Sequence, residues 1–187
     1  IKNLGLLNTS RVTNMSYMFA GTGENSTTFK LDLGNNFDTS NVINMYCMFI
    51  NAGYNSKEFT LNLGNKFDTS KVTNMYQMFQ NCGYTATTSL DLGPAFTKIP
   101  DGTVTITEEV STEEHGAHEN FVNSTGKYGA CTIYAPESIY KNMANFKLNT
   151  SSETAIHYTR GQINPIYRPV WEKVSSTLSA DGTMTIN

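Results

Sequence analysis

Apolar and polar residues alternate in three short stretches. Phe29, Leu31 and Leu33 are spaced by two, as are Phe59, Leu61 and Leu63, and then Leu90 and Leu92. A period of two predicts strands with one buried face. Gly34, Gly64 and Gly93 follow and end them in turns. Between the strands the spacing changes. Val42, Met45, Met48 and Phe49 lie at i, i+3, i+6 and i+7, which predicts one stripe of a short helix. Thr39, Ser40 or Asn44 would cap it, depending on where it starts.

These two patterns recur together every 30 residues. Thr9-Ser10, Thr39-Ser40 and Thr69-Ser70 repeat, as do Val12, Val42 and Val72, and Asn14, Asn44 and Asn74. Met15/45/75, Met18/48/78, Phe19/49/79 and Gly23/53/83 follow in the same register. Residues 35–51 and 65–81 are identical at 12 of 17 positions. One such unit cannot bury a core alone, but stacked units can. Each strand would pair with its copy in the next unit. Equal spacing returns the chain to the same edge, so the pairing would be parallel. The expected fold is an α/β repeat solenoid: a leucine-rich-repeat-like, right-handed array with a parallel sheet on one face and short helices on the other.

The pattern weakens after residue 93. Thr103–Thr107 and Cys131–Tyr134 alternate and read as further rungs, with an insert at 108–128 between them. Ile139, Met143 and Phe146 follow Pro136 at helical spacing. Residues 1–148 thus form the solenoid, clearest at 4–98, with an irregular cap at 99–148. Residues 149–154 read as a turn and His157–Arg160 as a short strand. Pro165 and Pro169 mark a linker, and Asp181-Gly182 between Leu178 and Met184 marks a β-hairpin. Residues 149–187 are therefore linker and strands, either a cap or the start of a following domain.

The blocks Phe37-Asp-Thr-Ser-Asn-Val-Ile-Asn-Met-Tyr-Cys-Met-Phe49 and Phe67-Asp-Thr-Ser-Lys-Val-Thr-Asn-Met-Tyr-Gln-Met-Phe79, with Leu-Asp-Leu at 31–33 and 90–92, resemble the BspA-like bacterial surface proteins. More narrowly, they resemble their lipoprotein-associated repeats, a family of uncharacterised function. The likeness covers residues 4–98, and Thr132–Pro136 is similar to the segment that closes such arrays. The 30-residue period exceeds the usual unit, with the extra residues near 24–28, 54–57 and 84–87. The resemblance implies a secreted or cell-wall-attached protein with a role in adhesion. It carries no catalytic residues.

Composition narrows the function further. Charged residues are 16% of the chain and the net charge is -3, so no basic stripe for nucleic acid is expected. No apolar run reaches the roughly 18 residues of a membrane span. Three cysteines, Cys47, Cys82 and Cys131, make no disulfide framework and no CxxC pair. All three are expected to be free and packed, with Cys47, off the core stripe, the most exposed.

Four features invite a site. The Met and Phe stripe reads as core. The outer strand face aligns Lys30, Thr60 and Ser89, and Asp32, Asn62 and Asp91, all small or polar. Tyr54 and Tyr84 recur in the long loops, and Tyr46 and Tyr76 lie beside core Met. The acidic stretch Glu108, Glu109, Glu113, Glu114, His115, His118 and Glu119 lacks HExxH spacing and an alternating calcium loop, so it reads as solvated loop rather than metal site. No cofactor is expected. The leading function is a monomeric, non-catalytic binding or adhesion module for host or matrix protein or glycan. A structural stalk is the alternative, and an enzyme with its site in 108–128 is a weaker one. Tyr54 and Tyr84 are the favoured contact residues, ahead of the strand face.

Overall fold

The computed structural model describes Leu4 and residues 7–107, 111–117, 119–129 and 131–140, with three further strands at 154–159, 177–178 and 184–185. The strands β1 (Thr28–Asp32), β2 (Glu58–Asn62) and β3 (Thr87–Asp91) carry the repeated alternation. They are followed by β4 (Thr103–Thr107), β5 (Thr112–Gly116), β6 (Cys131–Pro136) and β7 (Thr154–Thr159). The main sheet runs β1-β2-β3-β6-β7, with every pairing parallel. Register follows the repeat: Leu31 faces Leu61, which faces Leu90, which faces Ile133. Their side chains are buried with Phe29, Phe59, Leu33, Leu63 and Leu92.

The short helices are not there. Residues 13–24, 43–54 and 73–84 instead form rows of overlapping β-turns. Met48, Ile50, Ala52 and Tyr54 each donate an N–H to the carbonyl three residues back. The residues between them send theirs outward: Met45, Cys47, Phe49 and Asn51 donate to Asn74, Tyr76, Met78 and Gln80 of the next row. A helix would need every N–H to stay inside the segment. Left-handed φ at Cys47, Asn51 and Gly53, repeated at Gln77, Asn81 and Gly83, breaks a helix but suits the third position of such turns. The row still buries Val42, Met45, Met48 and Phe49, so the apolar stripe is core as expected.

The polar repeat residues hold the rows together. Asn14, Asn44 and Asn74 each accept the N–H two residues on through Oδ1, and Asn8, Asp38 and Asp68 do the same for Ser10, Ser40 and Ser70. The Ser40 hydroxyl and N–H hold the Asp38 carboxyl below the usual carboxylate range. Buried Thr39 and Thr69 donate to the carbonyls of Asp68 and Lys98 one row away. The residues read as helix caps thus serve turns and row contacts.

Two expectations beyond residue 93 are corrected. Thr103–Thr107 is not a rung: β4 pairs antiparallel with β5, so these strands form a hairpin of their own. The insert expected at 108–128 is in part another row: Ala117 and residues 119–128 form a fourth turn row, whose Ala117, Glu119, Phe121 and Asn123 carbonyls accept from Met75, Gln77, Phe79 and Asn81. The inserted element is the hairpin, and β6 is the rung after β3, as Cys131–Tyr134 was read. Ile139 begins α1 (Glu137–Tyr140) and is buried, while Met143 and Phe146 lie outside the described residues. The strand expected at His157–Arg160 is β7, which starts at Thr154 and extends the main sheet. The expected C-terminal hairpin is β8 (Thr177–Leu178) paired antiparallel with β9 (Met184–Thr185).

All three cysteines are free and buried. Cys47 is therefore not the exposed thiol its off-stripe position suggested. It is 1% exposed, with Sγ 3.4 Å from Gln77 Oε1 in the next row. Cys82 donates to the Phe49 carbonyl at 2.9 Å. Burial pushes the Cys82 thiol well above its ordinary range and that of Cys131 up to about 12. Iodoacetamide at neutral pH should therefore modify none of the three in the native protein and all of them in urea, read by mass spectrometry. Native labelling of Cys47 at the rate of a free thiol would contradict its burial.

Candidate functional site: a tyrosine edge

The turn rows carry side chains that repeat in space without entering the core. Tyr54 and Tyr84 occupy matching positions, and their rings stack 4.6 Å apart at 6°. The row spacing imposes this, because Thr85 N–H and Oγ1 both bond the Tyr54 carbonyl. The fourth row continues the edge. Tyr128 donates its N–H to the Tyr84 carbonyl and stands edge-on to the Tyr84 ring at 5.0 Å. It is the most exposed large hydrophobic side chain among the described residues, at 68%. Lys127 Nζ lies 5.7 Å and 5.5 Å from the Tyr84 and Tyr128 ring centroids, within cation–π range. The result is an aromatic strip, half-buried at Tyr54 and Tyr84 and exposed at Tyr128, with a cation at one end. Tyr128 and Lys127 escape the sequence reading because they fall in the stretch 108–128, which reads as an insert between rungs. Phe121-Val122 followed by Gly126 repeats the spacing of Met78-Phe79 and Gly83, a signal that could have placed them.

A second aromatic column lies along the rows. Tyr17, Tyr46 and Tyr76 succeed one another at centroid distances of 5.0 Å and 5.7 Å, and His115 closes it 4.4 Å from Tyr76. Tyr76 is buried and Tyr46 half-buried, and burial raises the Tyr46 phenol above its ordinary range. Most of this column is packing, and its exposed end is Tyr17.

The strand-face residues align as predicted, Lys30 with Thr60 and Ser89, and Asp32 with Asn62 and Asp91. They are exposed or half-buried. The second set has structural work: Asp32, Asn62 and Asp91 accept the N–H of Gly34, Gly64 and Gly93 at 2.8–3.0 Å. This closes the turn that ends each strand.

Of the acidic stretch, His115 sits on β5 with its ring nitrogens 3.2 Å from Glu119 and 3.5 Å from Glu113. Glu119 also accepts the Gly116 N–H at 3.1 Å. Glu108, Glu109 and His118 lie outside the described residues. Among the described residues, no group of three or more His, Cys, Asp or Glu side chains converges as a metal would need. EDTA should accordingly leave the melting temperature unchanged, since a structural metal contributes folding energy. A drop of several degrees, reversed by zinc and absent in His115→Ala, would establish a metal there.

Residues 1–90 match the family model described as Mycoplasma protein of unknown function, DUF285. That family is associated with BspA-like repeat proteins. The matched segment spans the first three turn rows and reaches β3. No curated protein and no solved structure matches the chain. No helix among the described residues is long and apolar enough to cross a membrane.

Proposed function

We propose that the chain is a non-catalytic binding module, a right-handed leucine-rich-repeat-like solenoid of the BspA-like kind on a secreted or cell-surface bacterial protein. It engages host or matrix protein, or glycan, through its tyrosine edge. The observation that carries this reading is the Tyr54–Tyr84 stack extended by Tyr128 and Lys127. Tyrosine offers large contact area at low entropic cost, and fixing the rings in a row lowers that cost further. The strand face is a weaker candidate, because Asp32, Asn62 and Asp91 already serve the glycine turns and their neighbours are small. The parallel register of β1, β2 and β3 and the matching turn rows support the solenoid architecture. Binding by one module is expected to be micromolar or weaker, with display in many copies supplying the strength.

The test is Tyr54→Ser with Tyr84→Ser in one chain that still melts at the parent temperature. Adhesion to host cells and to matrix-coated surfaces should fall by about tenfold or more, the scale of two lost aromatic contacts. Equal adhesion would remove the tyrosine edge. A parent that adheres to nothing across a glycan and matrix panel would favour a stalk that presents other domains.

A further inference from the structure

The glycines of the turn rows set two columns side by side. Gly53, Gly83 and Gly126 give their N–H groups to Thr22, Ala52 and Cys82, which aligns them with Gly23 and with one another. The residues that follow them are Glu24, Tyr54, Tyr84 and Lys127, and the next are Asn25, Asn55, Thr85 and Tyr128. The first column is the tyrosine stack with an acid at one end and a cation at the other. The second is polar until it reaches Tyr128.

Each column leaves groups open to a ligand. Lys127 Nζ lies against rings, and among the described residues the ion pairs all belong to His115, so no carboxylate neutralises it. A ring face attracts a cation without cancelling its charge, so the ammonium keeps that charge and its donors for an anion. Asn55 Nδ2 donates to Asn25 Oδ1 at 2.9 Å, which leaves Asn25 Nδ2 and Asn55 Oδ1 without a partner among the described residues. Asn25, Asn55 and Tyr128 are exposed. Rings beside open amide groups suit a sugar, whose C–H face covers an aromatic ring while its hydroxyls need donors and acceptors. The step between rings is 4.6 Å from Tyr54 to Tyr84 and 5.0 Å from Tyr84 to Tyr128. An extended peptide puts side chains on one face only at every second residue, roughly 6.6 Å apart, so it falls out of step with the rings.

We infer that the tyrosine edge selects an acidic glycan, and that Lys127 is the residue that sets this preference. A sugar unit packs on Tyr128, and its carboxylate takes a charge-assisted hydrogen bond from Lys127 Nζ. The next units run along Tyr84 and Tyr54, with their hydroxyls on Asn55 and Asn25. Exposed Glu24 gives the strip a direction, because an anionic group is attracted at the Lys127 end and repelled at the Glu24 end. The inference rests on the reading of this edge as a binding surface and narrows its ligand.

The experiment titrates the full chain by NMR at low salt with a hexasaccharide of alternating glucuronate and N-acetylglucosamine, and with the same hexasaccharide after its carboxylates are reduced to alcohols. The acidic form should bind about fivefold more tightly, the scale of one ion pair at a surface. Lys127→Met, which keeps the stem over the rings and loses the charge, should bring the two forms to equal affinity at an unchanged melting temperature. Lys127→Arg should restore the difference. Lys71→Gln, before the start of the third row, should leave it as in the parent. Equal binding of both forms by the parent would overturn the proposal, and if Tyr54→Ser with Tyr84→Ser then abolished both, the edge itself would stand. A preference that survives Lys127→Met, or that Lys71→Gln removes, would also overturn it, as would binding of neither form. Tighter binding of hexaglutamate than of the acidic sugar would overturn it in favour of a protein partner.

Discussion

Gly64→Ala is expected to destabilise the protein by about 2–6 kcal/mol, against about 1–3 kcal/mol for Gly34→Ala. Both glycines hold left-handed φ, +75° and +70°, so both substitutions carry the backbone strain of an L-residue there. They differ in what a Cβ would meet. At Gly34 there is nothing within 4 Å. At Gly64 the new methyl would press into the Gly34 carbonyl oxygen of the preceding repeat, far inside van der Waals contact. Gly93 stands in the same relation to Gly64. Relief would require two repeats to move apart, straining the bonds between their rows. The difference between the two urea melts isolates the steric part. Equal losses would mean that the glycine turns are not packed against each other.

The second large effect is Phe49→Ala, expected to cost about 3–5 kcal/mol as a fully buried truncation. Phe49 is sandwiched between Phe19 at 5.2 Å and Phe79 at 5.3 Å, each ring within 9° of parallel. Phe19→Ala should cost less, because Phe19 stacks on only one ring of its own ladder among the described residues. Because repeat contacts are nearest-neighbour, Phe49→Ala with Phe79→Ala should be less than additive. A Phe49→Ala melt that superimposes on the parent would remove this ladder from the core.

Much of the fold was legible in the sequence because the repeat supplies two independent constraints. Alternation at Phe29, Leu31 and Leu33 fixes which side chains point inward, and the 30-residue spacing fixes their partners. The turn rows were misread because the spacing of Val42, Met45, Met48 and Phe49 reports which residues are buried, not how the backbone closes its hydrogen bonds. Asn51 and Gly53, at left-handed φ, were the local clue against a helix. Thr103–Thr107 was misplaced for a related reason: alternation marks a strand without naming its partner. The same five residues suit a rung or a hairpin, and the segment after them decided. Cys47 was misjudged as a consequence of the helix, since the face it would occupy does not exist in a turn row. The tyrosine edge was half legible. Tyr54 and Tyr84 were visible from their spacing, but Tyr128 and Lys127 required the fourth row.

The direction of the bonds between rows has a consequence for how long such a stack can grow. Met15, Tyr17, Phe19 and Gly21 point their N–H groups toward the second row, while Ile43, Gly53, Asn55 and Lys57 of that row point theirs back. Peptide dipoles along the stacking axis therefore oppose one another within each interface. An α-helix, whose peptides all align, gathers about half a unit charge at each end. Here an added row brings opposed dipoles in similar number, so little electrostatic potential builds up at the ends as rows accumulate.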